Sequence, residues 1–113
     1  DVGNGMSVTW EDVDNDGLMD LYVGNMWSSA GGRIAGQPRF EQERLREIYR
    51  RMSRGNSLFR NLGDGRFEDV SLKSGTFFGR WSWSGQFLDV EGDGLEDLYV
   101  VNGFISNANK DDL

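Results

Sequence analysis

The sequence predicts an all-β fold: about one and a half four-stranded antiparallel units, interrupted by a helical insertion. Three observations predict it. First, residues 10–25 lie over residues 87–102 without a gap, at an offset of 77, and ten positions are identical. They are Asp12, Val13, Asp16, Gly17, Leu18, Asp20, Leu21, Tyr22, Val23 and Asn25. Such an internal repeat marks stacked or radially arranged units. Second, each copy runs from a short alternating stretch through an acidic, glycine-containing loop into "DLYV", the pattern of strand, turn, strand. Third, the 113 residues include 16 glycines, one proline and 12% aromatics, which suits many tight turns between strands better than a helical bundle.

This length supports one compact unit and not a second independent core. The formal charge of −7 argues against nucleic acid as a partner. No cysteine is present, so neither a disulfide framework nor a thiolate site exists. Histidine is absent too, which removes the commonest zinc ligand and general base. No apolar run approaches the roughly 20 residues of a membrane helix, so membrane insertion is not expected. The chain opens at Asp1 without a leader and closes on "NANKDDL", and reads as a piece of a longer protein.

In chain order, "GMSVTW" predicts a strand near 6–10 and "DLYVG" a second near 20–24. Residues 26–55 form the insertion. Within it Leu45, Ile48, Tyr49 and Met52 follow helical spacing, predicting a helix from Phe40 to Ser53. Glu41 and Glu43 fall in its first turn, Arg50 and Arg51 in its last, and Gly55 just beyond, as the helix dipole favours. Glu47 is one turn from Arg50 and Arg51. Arg33 to Arg54 holds seven arginines against three glutamates. This reads first as a solvated face and second as a docking surface for an acidic neighbour.

"SLFRNLGDGRFEDVS", residues 57–71, predicts a hairpin with strands near 57–61 and 66–71. Its "GDG" offers one central carboxylate, Asp64, and is a plain turn. A new cycle begins near 83. The first blade therefore spans about 6–71, with its insert at 26–55, and half of the next spans about 80–103. Trp10, Trp27, Phe59, Phe67, Trp81, Trp83 and Phe87 mostly fill the space between sheets. Trp27 and Trp81 lie outside the strands and are open to a surface role.

The acidic loops carry the chemistry. Asp12, Asp14, Asp16 and Asp20 occupy loop positions 1, 3, 5 and 9, and Leu18 can add its carbonyl at position 7. Calcium takes 6–8 oxygens, and a loop of this kind can supply most of them. Magnesium, with its strict octahedron and retained waters, is less apt. An EF-hand needs glutamate at position 12 and flanking helices, whereas Val23 and Val100 stand there. The second loop offers Asp89, Glu91, Asp93, the Leu95 carbonyl and Asp97. Its longer glutamate must fold back to reach position 3. The plainer alternative is that Asp and Gly simply populate turns.

"DVDNDGLMDLYVGN", "GNSLFRNLGDGRFEDVS" and "WSWSGQFLDVEGDGLEDLYVVNG" resemble the FG-GAP/VCBS repeats of integrin-α-like β-propellers, especially those of bacterial proteins that often carry an ASPIC/UnbV domain. The resemblance implies a propeller of about seven four-stranded blades. It also implies calcium in the loop between the first two strands of a blade, held by the two residue sets just given. Glu91 departs from the usual Asp or Asn. Proteins of this group are typically exported, extracellular, periplasmic or on the cell surface. The expectation is a non-enzymatic, calcium-binding scaffold for adhesion or for a protein or carbohydrate ligand. Further blades of the same chain or other subunits would be its neighbours. The alternative is a fragment of a propeller enzyme acting on polysaccharide, against which stand the missing histidine and the better account of the carboxylates as metal ligands.

Overall fold

The computed structural model describes residues 3–27 and 43–103. Glu41, the start of the expected helix at Phe40, the arginines before residue 43 and the C-terminal "NANKDDL" lie outside them. Strands β1 (Gly5–Glu11), β2 (Asp20–Asn25), β3 (Ser57–Asn61) and β4 (Phe67–Asp69) form an antiparallel sheet in chain order. Strands β5 (Ser82–Leu88) and β6 (Asp97–Asn102) form a second, two-stranded sheet. Helix α1 (Glu43–Ser53) lies between β2 and β3, and the short helix α2 (Ser71–Ser74) follows β4.

The repeat extends to backbone register. β1 and β2 pair from Gly5↔Asn25 to Glu11↔Asp20, with an irregularity between Gly5 and Ser7. β5 and β6 pair from Ser82↔Asn102 to Leu88↔Asp97, with an irregularity between Ser82 and Ser84. Every one of these positions is displaced by the same 77 residues.

β2 has a partner on both sides, β1 and β3, and all its residues but Leu21 are buried. β6 pairs only with β5 among the described residues, and Tyr99 and Val101 on it are exposed. The core is small and lies where the two sheets meet: Tyr22, Leu58 and Phe87, flanked by Val13, Val70, Leu98 and Val100. The rings of Tyr22 and Phe87 meet edge to face, with centroids 5.9 Å apart. Gly85 makes this approach possible, because a Cβ there would stand 2.3 Å from the Tyr22 ring. Thr9 adds a hydroxyl hydrogen bond to the Gly85 carbonyl. Burial pushes the Tyr22 hydroxyl up to about 12, with Ser82 and Asn56 beside it pulling the other way. A buried ring of this size contributes about 1.5–3 kcal/mol, and Tyr22 is the largest fully buried side chain among the described residues.

The insertion leaves and rejoins the sheet at one place. Asn25 donates its backbone N–H to the Asn56 side chain at 2.8 Å, and its own amide to Gly55 O at 3.1 Å. Both asparagines are fully buried. α1 buries none of its residues completely; Leu45 and Tyr49 of the expected apolar stripe are exposed, while Ile48 and Met52 are half-buried. Its basic end docks on β4. Arg51 and Arg54 both pair with Asp69, Arg54 at 3.0 Å. Within α1, Glu43 pairs with Arg46. At least this part of the arginine-rich segment serves the fold itself.

Two further expectations are corrected. The fourth strand ends at Asp69, not at residue 71, because the Ser71 hydroxyl takes the Leu58 N–H at 2.9 Å and turns the chain into α2. The aromatics are mostly not interior either. Phe87 is buried, but Trp10, Trp27, Phe67 and Trp83 are exposed. Trp10 packs edge to face on Phe67, 6.2 Å between centroids, on the surface of the first sheet. Among the described residues no helix is long and apolar enough to cross a membrane.

Candidate metal centre

Residues 12–19 connect β1 to β2 and fold around their own carboxylates. Asp12 accepts the N–H groups of Asp16 at 2.9 Å and Gly17 at 2.8 Å. Asp16 accepts that of Leu18 at 2.9 Å. Asp20, at the start of β2, accepts Val13 N–H at 3.2 Å and Asn61 N–H at 2.7 Å. Gly17 sits at φ +86°, a left-handed conformation that glycine adopts without steric cost. Short Asp side chains bonding the backbone ahead of them are the usual means of closing such turns.

That chemistry accounts for Asp12, Asp16 and Asp20. It does not account for Asp14, which among the described residues accepts no backbone N–H and is paired only with Arg60, Nε to Oδ2, at 2.6 Å. Carboxylate oxygens of Asp12, Asp14 and Asp20 lie within 4.8 Å of one another, the one such trio among the described residues. Three hard anionic oxygens without nitrogen or sulfur suit calcium or magnesium and not a softer metal. The residues present therefore fit a hard divalent cation. Asp16 stands beside the trio, its Oδ2 3.3 Å from Arg60 Nη2. Leu18 contributes its N–H to the loop.

Arg60, on β3, was not among the residues the sequence singled out. Asp14 first and then Asp16 hold its guanidinium above the ordinary arginine range. A charged residue in the middle of "SLFRN" is the signal that points to it, since an arginine in a strand facing an acidic loop needs an anionic partner.

The second loop repeats the backbone pattern. Asp89 accepts N–H groups from Gly92, Asp93 and Gly94, at 2.6, 3.0 and 2.9 Å. Leu95 donates to Asp93, and Val90 to Asp97 at 3.2 Å. The Gly94 N–H foremost, with those of Asp93 and Gly92, lowers the Asp89 carboxyl below its usual range. Glu91, like Asp14, takes no backbone bond among the described residues. Asp89, Glu91, Asp93 and Asp97 do not converge as the first set does. None of them is ion-paired among the described residues.

The loops are neighbours. Asn15 donates to Gly94 O at 3.3 Å, and the carboxyl of Glu96 is raised by desolvation and then by Glu11, Asp89 and Asp97. Negative charge from both repeats therefore accumulates along one rim.

Two family models match the chain. Residues 4–37 match the FG-GAP repeat, and residues 45–100 the FG-GAP-like repeat. No curated protein and no solved structure matches it significantly. The two matches take in both acidic loops and at least part of every strand, and the sheets repeat as blades do. The chain belongs to the FG-GAP repeat proteins, its strands arranged as one four-stranded propeller blade and the first strand pair of another.

Proposed function

We propose that this chain is a calcium-binding, non-enzymatic propeller segment that serves outside the cytoplasm as a scaffold for adhesion or for a protein or carbohydrate ligand. The observation that carries the reading is Asp14. Turn formation does not require its carboxylate, yet it gathers with Asp12 and Asp20. Asp12, Asp14 and Asp20 would hold the ion, with Asp16 and the Leu18 carbonyl available to complete its shell. The ion supplies neutralising charge and a cross-link between the β1–β2 loop and the start of β2. The set of Asp89, Glu91, Asp93, Leu95 and Asp97 forms the weaker second site, because its carboxylates are less gathered.

An extracellular calcium level suits the reading. Modules of that kind bind at roughly 0.1–1 mM, so about 2 mM calcium adds on the order of 0.6–1.8 kcal/mol per site. Thermal melts in calcium, in magnesium and in chelator test it. The expected result is a higher melting temperature in calcium than in either other condition. Equal temperatures in all three would remove the metal assignment. The exposed face of β6, with Tyr99 and Val101, is where a further repeat of the chain or another subunit would pack.

A further inference from the structure

We propose that Arg60 is a tethered competitor of the metal: it occupies the first acidic loop in the absence of calcium and must release Asp14 for the ion to bind. The inference rests on the calcium reading given above and concerns the affinity of that same site. Asp14 is the one carboxylate of the trio with no structural duty to the turn, and Arg60 Nε holds it at 2.6 Å. The same guanidinium reaches Asp16 at 3.3 Å. One side chain thus engages both acidic residues that project from the loop between Asp12 and Gly17.

An arginine and a divalent cation cannot both sit against Asp14 without repelling each other. Arg60 cannot lose its proton to relieve that repulsion, so it has to move or the ion binds more weakly. Because β3 is paired on both sides, with β2 and β4, its backbone is fixed and only the side chain can swing. The arrangement has two effects of opposite sign. Without calcium, Arg60 relieves the repulsion within the loop. With calcium, it lowers the affinity and so shifts the working range to higher concentration. The second loop has no such arginine among the described residues.

Calorimetric calcium titrations of the wild-type chain, Arg60→Gln and Arg60→Lys test this. An exposed charge pair of this kind converts to about a 1.5-fold to fivefold change in affinity. Arg60→Gln is expected to bind calcium tighter by that factor and to melt lower than wild type in chelator. Arg60→Lys is expected to fall between them. Equal or weaker calcium binding by Arg60→Gln overturns the role given to Arg60 while leaving the calcium site in place. Calcium binding by none of the three removes the site itself, and this inference with it. A measurement on the wild type needs no variant to fold: the Arg60 Nε–H resonance is followed by NMR through a calcium titration. A shift with faster solvent exchange is expected, and an unchanged resonance at saturating calcium overturns the proposal.

Discussion

Asp20 and Asp97 hold the same place in the two repeats, but Asp20 is 1% exposed and accepts two backbone N–H groups. Asp97 is half-buried and accepts one. The second bond to Asp20 comes from Asn61 on β3, a strand for which the second repeat has no counterpart among the described residues. The same holds for Arg60, on that strand as well. The comparison separates two layers of the site. The turn is local and forms from the loop's own Asp and Gly residues, as both loops show. The gathering of Asp12, Asp14 and Asp20 accompanies a third strand behind the loop.

The tyrosines sharpen that contrast most. Tyr22 is fully buried against Gly85 and Phe87, whereas its counterpart Tyr99 is 61% exposed. Tyr22→Ala should lower unfolding free energy by about 3–5 kcal/mol, and Tyr99→Ala by no more than about 0.5 kcal/mol. Gly85→Ala, which drives a methyl group into the Tyr22 ring, should cost about 1–3 kcal/mol. Denaturant unfolding of the three variants measures all of this. Equal losses for the two tyrosines would mean that the second strand pair does not pack on the first. The same glycine bears on self-association. The residue equivalent to Gly85 in the first repeat is Val8, whose side chain a tyrosine in that position would strike. A second copy presenting its first repeat to Tyr99 would have to displace the Val8 side chain, which β5 with Gly85 does not require.

Next in size is the aspartate pair. Asp20→Ala leaves the Val13 and Asn61 N–H groups without their acceptor and should cost about 1–3 kcal/mol. Asp97→Ala should cost less. Both are best measured in chelator, so that loss of an ion does not add to the difference. A larger loss at Asp97 would reverse the ranking of the two loops.

A smaller effect is expected at the junction of α1 with β4. Partial burial alone would raise the Asp69 carboxyl, but hydrogen bonds from Ser71, Arg54 and Arg51 outweigh it and hold the group well below the usual carboxylate range. Its folded value is depressed, so its contribution is complete above the unfolded aspartate value of about 3.9 and is lost as pH falls below that. Asp69→Asn should flatten the acid limb of a stability–pH curve and leave its neutral region lower. A parallel downward shift across all pH would show that Asp69 acts by packing and not by charge.

Much of this was legible in the sequence because repetition is a one-dimensional signal. Ten identities at one offset located both acidic loops and four of the six strands, and alternation around "LGDG" located the hairpin between the other two. What stayed hidden depends on contacts across the sheet. Nothing in a tryptophan tells which face of its strand a neighbour covers, so Trp10 and Trp83 were expected inside and lie outside. The end of β4 turns on one hydroxyl, that of Ser71, replacing a backbone partner. Arg60 meets Asp14 across a separation of 46 residues in the chain, a pairing that neither helical nor strand spacing announces. The carboxylates were visible as a set, but not which of them the turn itself consumes.

The most direct test compares the two residues that turn chemistry leaves over. Calcium titrations by calorimetry on Asp14→Asn and Glu91→Gln, beside the wild type, address the claim that the first loop is the organised site. Removing one charged ligand from a set of three should weaken the tighter binding event about tenfold or more in Asp14→Asn. Glu91→Gln should leave that event unchanged. Loss of the tighter event in Glu91→Gln, with Asp14→Asn binding as wild type, would contradict the account.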